Sequence, residues 1–235
     1  MNIRGLNRWQ AFLTHFGISL IIFVALLAII TLIWYPSVFI HMGGWQGIKI
    51  VAAVDLILGP FLTLIIFNPT KKSLPIDLSI IALIQLSCLG YGVWTIEQQR
   101  PVTQILLDDR LHVIPKAQYK AQDISLDFLE KIPGPTPKMV MLDLPTDHIF
   151  IAKLVITGLY TDNPVHLRTS KYIPILSAKN QPSHKEKLDW QLDRLEFDHE
   201  KNCYWLQAES SYFKGDVCFN TSHGTIHHRP LSHTE

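Results

Sequence analysis

Three long apolar stretches fill the first hundred residues of the chain, and shorter alternating and helical patterns fill the rest. The apolar stretches cover residues 16–35, 48–67 and 76–96, and each has about the 20 residues that span the hydrocarbon of a bilayer. We therefore predict three transmembrane helices in a membrane domain at residues 1–99. Residues 100–235 have the mixed pattern of a soluble domain. The predicted fold is three transmembrane α-helices followed by a small α+β domain.

The first apolar stretch has an alternative interpretation as a cleaved signal peptide. A signal peptide has a shorter apolar region, of about 7–15 residues, which ends at a cleavage site of small residues. Here the run is longer and ends in Trp34, Tyr35 and Pro36, an aromatic anchor followed by a helix breaker. We therefore expect a retained helix.

Within residues 100–235, short apolar runs predict both strands and helices. Five runs predict strands, the first two of them paired as a β-hairpin: residues 103–107, 110–114, 139–144, 203–208 and 213–220. Apolar residues at helical spacing predict helices at residues 123–132, 147–160 and 185–197. Thr146 is positioned to cap the second of these helices.

The second apolar stretch contains an ionisable residue, and we predict that it forms the inner helix of the bundle. Asp55 lies in hydrocarbon, where an aspartate costs about 2.5–3.5 kcal/mol on insertion scales, so such a residue usually has a partner or a function. One interpretation pairs Asp55 with a polar or cationic group on a partner helix. The other is an internal hydrogen bond, for instance to Gln85 or Thr63, that fixes the packing of the three helices.

Gly59 and Pro60 interrupt the same stretch shortly after Asp55. A proline inside a helix removes one backbone hydrogen bond, which neighbouring helices must compensate. The break is consistent with a kink that opens a groove for another helix, and equally with a tolerated bend. Together with Asp55 and Gln85, Gly59 and Pro60 form the candidate site for partner binding or packing in the membrane.

Basic residues are distributed unevenly around the apolar stretches. Arg4 and Arg8 precede the first stretch, Lys71 and Lys72 separate the second from the third, and the loop at residues 36–47 has no Lys or Arg. Positive charges in short flanking loops stay on the cytoplasmic side. We therefore predict a cytoplasmic N-terminus and a C-terminal domain on the outer side, which in a bacterium is the periplasm.

The composition and the motifs give no support to catalysis or to nucleic-acid binding. The chain has 21 Lys and Arg against 20 Asp and Glu, so its net charge is near zero and we predict no nucleic-acid partner. It contains no Gly-x-Ser-x-Gly, Cys-x-x-Cys or His-Glu-x-x-His motif. We therefore predict that it is not an enzyme and that it has no catalytic residue and no cofactor.

Three histidines near the end of the chain are the candidate metal ligands. They are His223, His227 and His228, but Gly224 and Pro230 make a helix that would align them improbable. Zinc sites need three or four convergent ligands with a supporting shell. We expect a solvated tail and no metal site.

Two of the three cysteines have the spacing of a possible disulfide. Cys203 and Cys218 flank Ser210 and Ser211 symmetrically, as cross-strand partners in a hairpin would. In an oxidising periplasm they could form a disulfide, and the alternative is two buried thiols, since sequence does not fix the separation of the Cα atoms. Cys88 lies in the third apolar stretch and is expected to pack as a small apolar residue.

A series of short motifs runs through the second and third apolar stretches into the predicted hairpin. The residues are Val54-Asp55, Leu58-Gly59-Pro60, Leu62-Thr63-Leu64-Ile65, Phe67, Lys71-Lys72-Ser73-Leu74, Asp77-Leu78, Gln85-Leu86, Tyr91-Gly92 and Arg100-Pro101. In order and spacing these motifs resemble the type IV pilin accessory proteins, the TfpX/TfpZ family. The resemblance covers roughly residues 40–115 and is diffuse beyond them. It implies an inner-membrane protein, not known as an enzyme, that helps a particular major pilin assemble into pili.

The resemblance leads to an expectation about partners. The membrane helices would hold the hydrophobic N-terminal helix of a major type IV pilin, and the outer domain would contact the pilin head, with other pilus assembly components and membrane lipid as further partners. Two weak contacts with one partner reinforce each other through effective concentration. The alternative is a membrane-tethered periplasmic ligand-binding sensor without enzymatic output, although the cytoplasmic parts are too short for an output domain.

Overall fold

The structure is a computed structural model, and it describes residues 5–107, 109–144, 147–160 and 164–230. The chain divides into two compact units, the first ending at Gln98 and the second beginning at Gln99. The first unit contains three long apolar helices, and the second contains a mixed β-sheet with helices. These observations confirm the predicted fold class.

Three helices in the described residues are long and apolar enough to cross a membrane. They span Arg8–Trp34, Gly44–Ile66 and Leu74–Gln99, and we name them the first, second and third membrane helix. In the second, 33% of the most apolar window is buried, against 11% in each of the other two. The second membrane helix is therefore the inner one, as predicted.

The membrane helices are not α-helical throughout. The first consists of α1 (Arg8–Ile29) and a π-helical turn (Ile30–Trp34); the second of α2 (Gly44–Ala52), a π-helical segment (Ala53–Leu58) and α3 (Gly59–Ile66); the third is α4 (Leu74–Gln99). The first helix begins before the predicted residue 16 because Asn7 caps it. Asn7 and Gln10 form a reciprocal capping box that satisfies two backbone donors at the start of α1.

Apolar contacts and one hydrogen bond join the membrane helices at their two ends. At one end lies a cluster of buried side chains from the start of α1, the end of the second membrane helix and the start of α4: Ala11, Phe67 and Leu74. Toward the other end, the buried Tyr35 hydroxyl donates to the carbonyl oxygen of Ile96 at 3.0 Å. Successive membrane helices therefore run in opposite directions.

The second unit is built on one mixed sheet, which has eight strands within the described residues. The strands are β1 (Pro101–Leu107), β2 (Arg110–Pro115), β3 (Lys138–Leu142), β4 (Tyr172–Pro174), β5 (Glu196–Asp198), β6 (Cys203–Glu209), β7 (Lys214–Asn220) and β8 (Gly224–Pro230). Their order is β4-β3-β1-β2-β6-β7-β8, and β5 pairs with β6. The β1–β3 and β2–β6 pairs are parallel, and the others are antiparallel.

Four α-helices within the described residues accompany the sheet, and the core lies against its central strands. The helices are α5 (Lys116–Ala121), α6 (His148–Tyr160), α7 (Ile175–Ala178) and α8 (Pro182–Leu192). Every residue of β1 is buried, so this strand forms the middle of the core. The Tyr119 hydroxyl is hydrogen-bonded to the hydroxyls of Thr103, at 2.7 Å, and of Tyr172, at 2.6 Å, so these three hydroxyls have partners.

Several predicted elements of the second unit are confirmed. The β1–β2 hairpin places Thr103 opposite Ile114, β3 matches the strand predicted at 139–144, and α6 matches the helix predicted at 147–160. β6 and β7 match the strands predicted at 203–208 and 213–220, and they pair as the expected cross-strand hairpin. Asp108 of the predicted hairpin turn and Thr146, the predicted helix cap, lie outside the described residues.

Three predictions for the second unit are wrong in part. The helix predicted at 123–132 is a 3-10 helix (Leu126–Lys131) capped by Ser125, because Asp123 has a left-handed φ of 53° and stops an earlier start. The helix predicted at 185–197 ends at Leu192, and its last residues form β5 on the edge of β6. The expected solvated tail is β8, which pairs with β7, so strand pairing outweighed the turn-forming residues there.

Candidate partner-binding site in the membrane unit

A buried stripe on the second membrane helix contains most of the predicted site. Asp55, Gly59 and Thr63 recur at every fourth position, and all three are buried. Asp55 is 6% exposed and belongs to the π-helical segment, whereas Gly59 and Thr63 belong to α3. The stripe faces the bundle, because residues four apart lie on the same side of a helix.

The Thr63 hydroxyl links the second membrane helix to the first. It donates to the carbonyl oxygen of Gly59 at 3.2 Å and lies 2.6 Å from Nδ1 of His15. A hydroxyl has a single proton, so Thr63 must accept from His15, and Nδ1 of His15 must carry a proton. Gln85 of the third membrane helix also forms a hydrogen bond with the His15 side chain. One histidine therefore joins all three membrane helices.

The second and third membrane helices approach closely at glycines. A Cβ atom on Gly59 would overlap the side-chain amide of Gln85, whose Oε1 would lie only 2.9 Å away. Toward the other end of the same interface, a Cβ on Gly47 would lie 2.6 Å from Cδ1 of Ile96. Small residues that let backbones approach are typical of helix contacts in membranes. Gly59 therefore has a packing role, and this contact brings the predicted residues Gly59 and Gln85 together.

Pro60 is accommodated by the π-helical segment that precedes it. The N–H of Gly59 donates to the carbonyl oxygen of Val54, five residues earlier, as in a π-helix. Continued by one residue, this pattern would require Pro60 to donate to Asp55, and proline has no N–H. The change of helix type avoids the clash that a proline causes in an α-helix. Asp55 lies inside this π-helical segment, four residues before Gly59.

Asp55 differs from the other polar residues of the stripe. Gln85 and Thr63, its predicted internal partners, both bind His15 instead. Within the part of the chain that the structure describes, no hydrogen bond or ion pair is formed by the Asp55 carboxyl group. A buried carboxyl group in an apolar bundle can accept a hydrogen bond or pair with a cation supplied by another helix. Asp55 is therefore the polar side chain of the site that can still accept a hydrogen bond or pair with a cation from a partner helix.

His15 is not among the residues predicted from the sequence, because it precedes the apolar stretch at residues 16–35. The signal was present: the capping box of Asn7 and Gln10 predicts a helix that starts before His15, so that His15 lies inside it. An ionisable residue inside a membrane helix is a functional candidate by default. The candidate site therefore consists of Asp55, Gly59, Pro60, Thr63 and Gln85, together with His15.

The two candidate disulfide cysteines lie on neighbouring strands of the second unit. The structure joins Cys203 and Cys218 as a disulfide with Cα atoms 5.5 Å apart, a usual separation for such a bond. They are not direct partners, because Cys218 lies opposite Trp205 in the β6–β7 register. The pair is diagonal across the two strands, so the symmetric spacing around Ser210 and Ser211 does not give the true register.

The second unit also contains a pair of stacked histidines. The rings of His112 and His166 are nearly parallel, with centroids 5.2 Å apart, and Nε2 of Gln118 lies 3.2 Å from Nε2 of His166. Burial lowers the pKa of both histidines, and with the nearby His112 it brings the pKa of His166 to about 4. Both rings are therefore neutral at pH 7, which fits a structural role.

Comparison with known proteins identifies relatives that are named for fimbrial assembly. Over 118 residues, 49% of this chain, it is 36% identical to the fimbrial assembly protein of serogroup E1 from Dichelobacter nodosus and 37% identical to that of serogroup I. It spans only 44% of the length of each of these relatives. No family model matches the sequence, and no solved structure matches it.

A third relative is matched over most of its own length. The chain is 36% identical to the fimbrial assembly protein of serogroups C1 and C2 from the same organism, and the match covers 86% of that protein. Identity at this level over most of a relative is sufficient to assign a family. The chain therefore belongs to the family of fimbrial assembly proteins.

Proposed function

We propose that this protein is an inner-membrane accessory factor that binds a specific major type IV pilin and promotes assembly of the type IV pilus. The observation that carries the proposal is Asp55, a buried carboxyl group with no hydrogen bond within the described residues, in the π-helical segment of the inner membrane helix. The names of the relatives support a role in fimbrial assembly. That the partner is a major pilin is what the resemblance to the type IV pilin accessory proteins implies, and the chemistry of the site adds that a partner helix could supply a hydrogen-bond donor or a cation to Asp55.

The proposed topology follows from the arrangement of charges. Ala11 and Leu74 belong to one apolar cluster, so Arg8 and the Lys71–Lys72 turn lie at the same end of the bundle. Under the positive-inside rule this end faces the cytoplasm. The third membrane helix then delivers the second unit to the periplasm. An oxidising periplasm would also favour the bond between Cys203 and Cys218.

The proposed work is non-covalent, and no catalysis is involved. A hydrophobic helix of the pilin would lie against the second membrane helix and supply a hydrogen-bond donor or a cation to Asp55. Because Asp55 is buried and the first membrane helix contacts its π-helical segment, we expect binding to shift the first helix. The second unit would contact the pilin head, and the two weak contacts would reinforce each other.

A photo-crosslinking experiment in piliated cells tests the proposal. A photoreactive residue replaces Ile57, which is exposed on the second membrane helix two residues after Asp55, and the control position is Leu83, which is exposed on the third membrane helix. We expect the major pilin to crosslink at position 57 and much less at position 83. The variant Asp55→Asn keeps the size of the side chain and removes its charge.

Asp55→Asn should leave the amount of protein in the membrane unchanged while lowering both the pilin crosslink at position 57 and surface piliation. Equal crosslinking at the two positions, or normal piliation with Asp55→Asn, would show that Asp55 serves only packing.

A further inference from the structure

Helix α6 of the second unit has an apolar outer surface. Ile149, Ile156 and Tyr160 are 82%, 54% and 88% exposed, and Phe150 is exposed as well. Lys153 is the only Lys, Arg, Asp or Glu in the helix. A surface helix of a soluble domain normally has charged and polar residues on its outer side. Something other than water therefore covers this side in the working protein.

The exposed side chains form one stripe. Ile149, Lys153, Ile156 and Tyr160 follow each other at intervals of four, three and four residues, which places them on one face of the helix. Leu154 lies on the other side and packs against the core cluster of the second unit. The helix is thus apolar on both sides, with its own domain covering only one. We call the exposed set of four the α6 stripe.

A short connection tethers the second unit, and with it the α6 stripe, to the third membrane helix. The third membrane helix ends at Gln99 and β1 begins at Pro101, so Arg100 alone joins them. Tyr91 and Trp94 are exposed near the end of that helix, where aromatic residues mark the edge of a bilayer. From Trp94 to Gln99 the helix rises only about 8 Å, at about 1.5 Å per residue.

We propose that the α6 stripe lies in the interface of the bilayer that the membrane helices cross. The composition of the stripe fits this partner. Ile149 and Ile156 supply the apolar surface, Tyr160 has the aromatic ring with a polar tip that favours the headgroup region, and Lys153 can extend its ammonium group toward lipid phosphates. The short tether gives the stripe a high effective concentration at the lipid surface, so a modest intrinsic affinity is sufficient.

Lipid-quenching fluorescence on the full chain tests the proposal. Ile156→Cys in a Cys88→Ser background is labelled with an environment-sensitive fluorophore under non-reducing conditions, and the unmodified background gives the blank. The protein is reconstituted in vesicles of phosphatidylethanolamine and phosphatidylglycerol that contain a phospholipid with a nitroxide near its headgroup. The matched control is Glu186→Cys, an exposed position on helix α8. Tyr160→Cys repeats the measurement at a second position of the stripe, in case one variant misfolds.

We expect the nitroxide lipid to quench the labels at 156 and 160 about threefold more than the label at 186, because only the α6 stripe enters the interface. Adding Ile149→Glu to the Ile156→Cys protein should bring its quenching down to the level of the control. Equal quenching at 156 and 186 would overturn the proposal. So would shielding of position 156 only when purified pilin or further unlabelled copies of the chain are added, since the stripe would then be a protein interface.

Discussion

The two units of this protein satisfy their polar groups and cover their apolar surface in different ways. In the second unit, β1 is buried along its whole length, and the buried Tyr119 hydroxyl is hydrogen-bonded to those of Thr103 and Tyr172. In the membrane unit most apolar side chains point outward, toward the region that lipid fills, and polar contacts are few. His15 forms two of these polar contacts, one with Thr63 and one with Gln85.

The difference shows where the stability of each unit comes from. Burial of apolar surface drives the folding of the second unit and contributes about 25 cal/mol per Å² of apolar surface removed from water. Inside a bilayer this term is nearly absent between helices, since lipid tails are as apolar as the side chains, and close packing takes its place. The membrane unit should therefore respond most to added volume at its glycines, and the second unit to changes in the charge of buried groups.

The largest expected effect is that of filling the contact at Gly59. In Gly59→Leu, the new side chain would overlap the amide of Gln85 and separate the second and third membrane helices. Overpacking of this kind typically costs about 1–3 kcal/mol, and we expect the upper end because backbone and side chain are both displaced. The measurement is the thermal midpoint and the yield of monodisperse protein after extraction in mild detergent.

Gly17→Leu is the matched control, because a Cβ atom at Gly17 meets nothing within 4 Å. It should leave the midpoint unchanged or raise it slightly, since leucine favours a helix more than glycine does. If the two variants lost the same amount of protein, close approach at Gly59 would not be the feature that supports the bundle.

A smaller effect is expected in the second unit when the pH is lowered. Burial holds the pKa of His166 at about 4, below the value of about 6.5 for an unfolded histidine. Between these values the unfolded chain binds a proton that the folded chain does not, so stability falls as the pH decreases from 6.5. At pH 5 the loss from His166 is about 2 kcal/mol.

Urea unfolding of the full chain, followed by pulsed hydrogen exchange in the peptide that contains β1 and β2, reports the second unit alone. The urea midpoint should fall between pH 7 and pH 5 in the native protein and fall less in His166→Gln, which removes the titrating group. Burial lowers the pKa of His112 as well, so we expect His112 to contribute to the pH dependence that remains in the variant. If the urea midpoint of His166→Gln fell as much between pH 7 and pH 5 as that of the native protein, His166 would not be the group responsible for the loss of stability.

The helices of the membrane unit could be predicted from the sequence because the apolar stretches that form them are long. Three apolar stretches of about 20 residues leave no competing structure, and an aspartate beside a Gly-Pro pair marks the inner helix. What the sequence did not show is which polar groups pair across helices. Gln85 and Thr63 are both suitable partners for Asp55 by chemistry, yet both bind His15, because pairing depends on the rotation of each helix about its axis.

The secondary structure of the second unit could be predicted only in part, and β5 and β8 show the physical reason. Leu188 and Leu192 have helical spacing and are buried on α8, but the same spacing extended to Leu195 predicts a helix where the chain turns into β5. A three-residue strand exists because the edge of β6 offers hydrogen bonds to it. Such pairings are made between residues distant in sequence and outweigh local preference.

The smallest expected effect is the difference in coupling energy between one hydrogen bond in the membrane unit and one in the second unit. A double-mutant cycle with His15→Ala and Thr63→Val measures the coupling across the first and second membrane helices, and a second cycle with Thr103→Val and Tyr119→Phe measures a buried pair in the sheet. Hydrogen bonds between membrane helices average about 0.6 kcal/mol, because the separated helices find other partners in the bilayer. Those inside soluble domains contribute about 1 kcal/mol. We therefore expect the cycle in the sheet to give the larger coupling, with both read from reversible unfolding of the full chain in mixed micelles. A coupling at His15 well above the one at Tyr119 would mean that polar contacts, and not the glycine contacts, determine how the membrane helices pack.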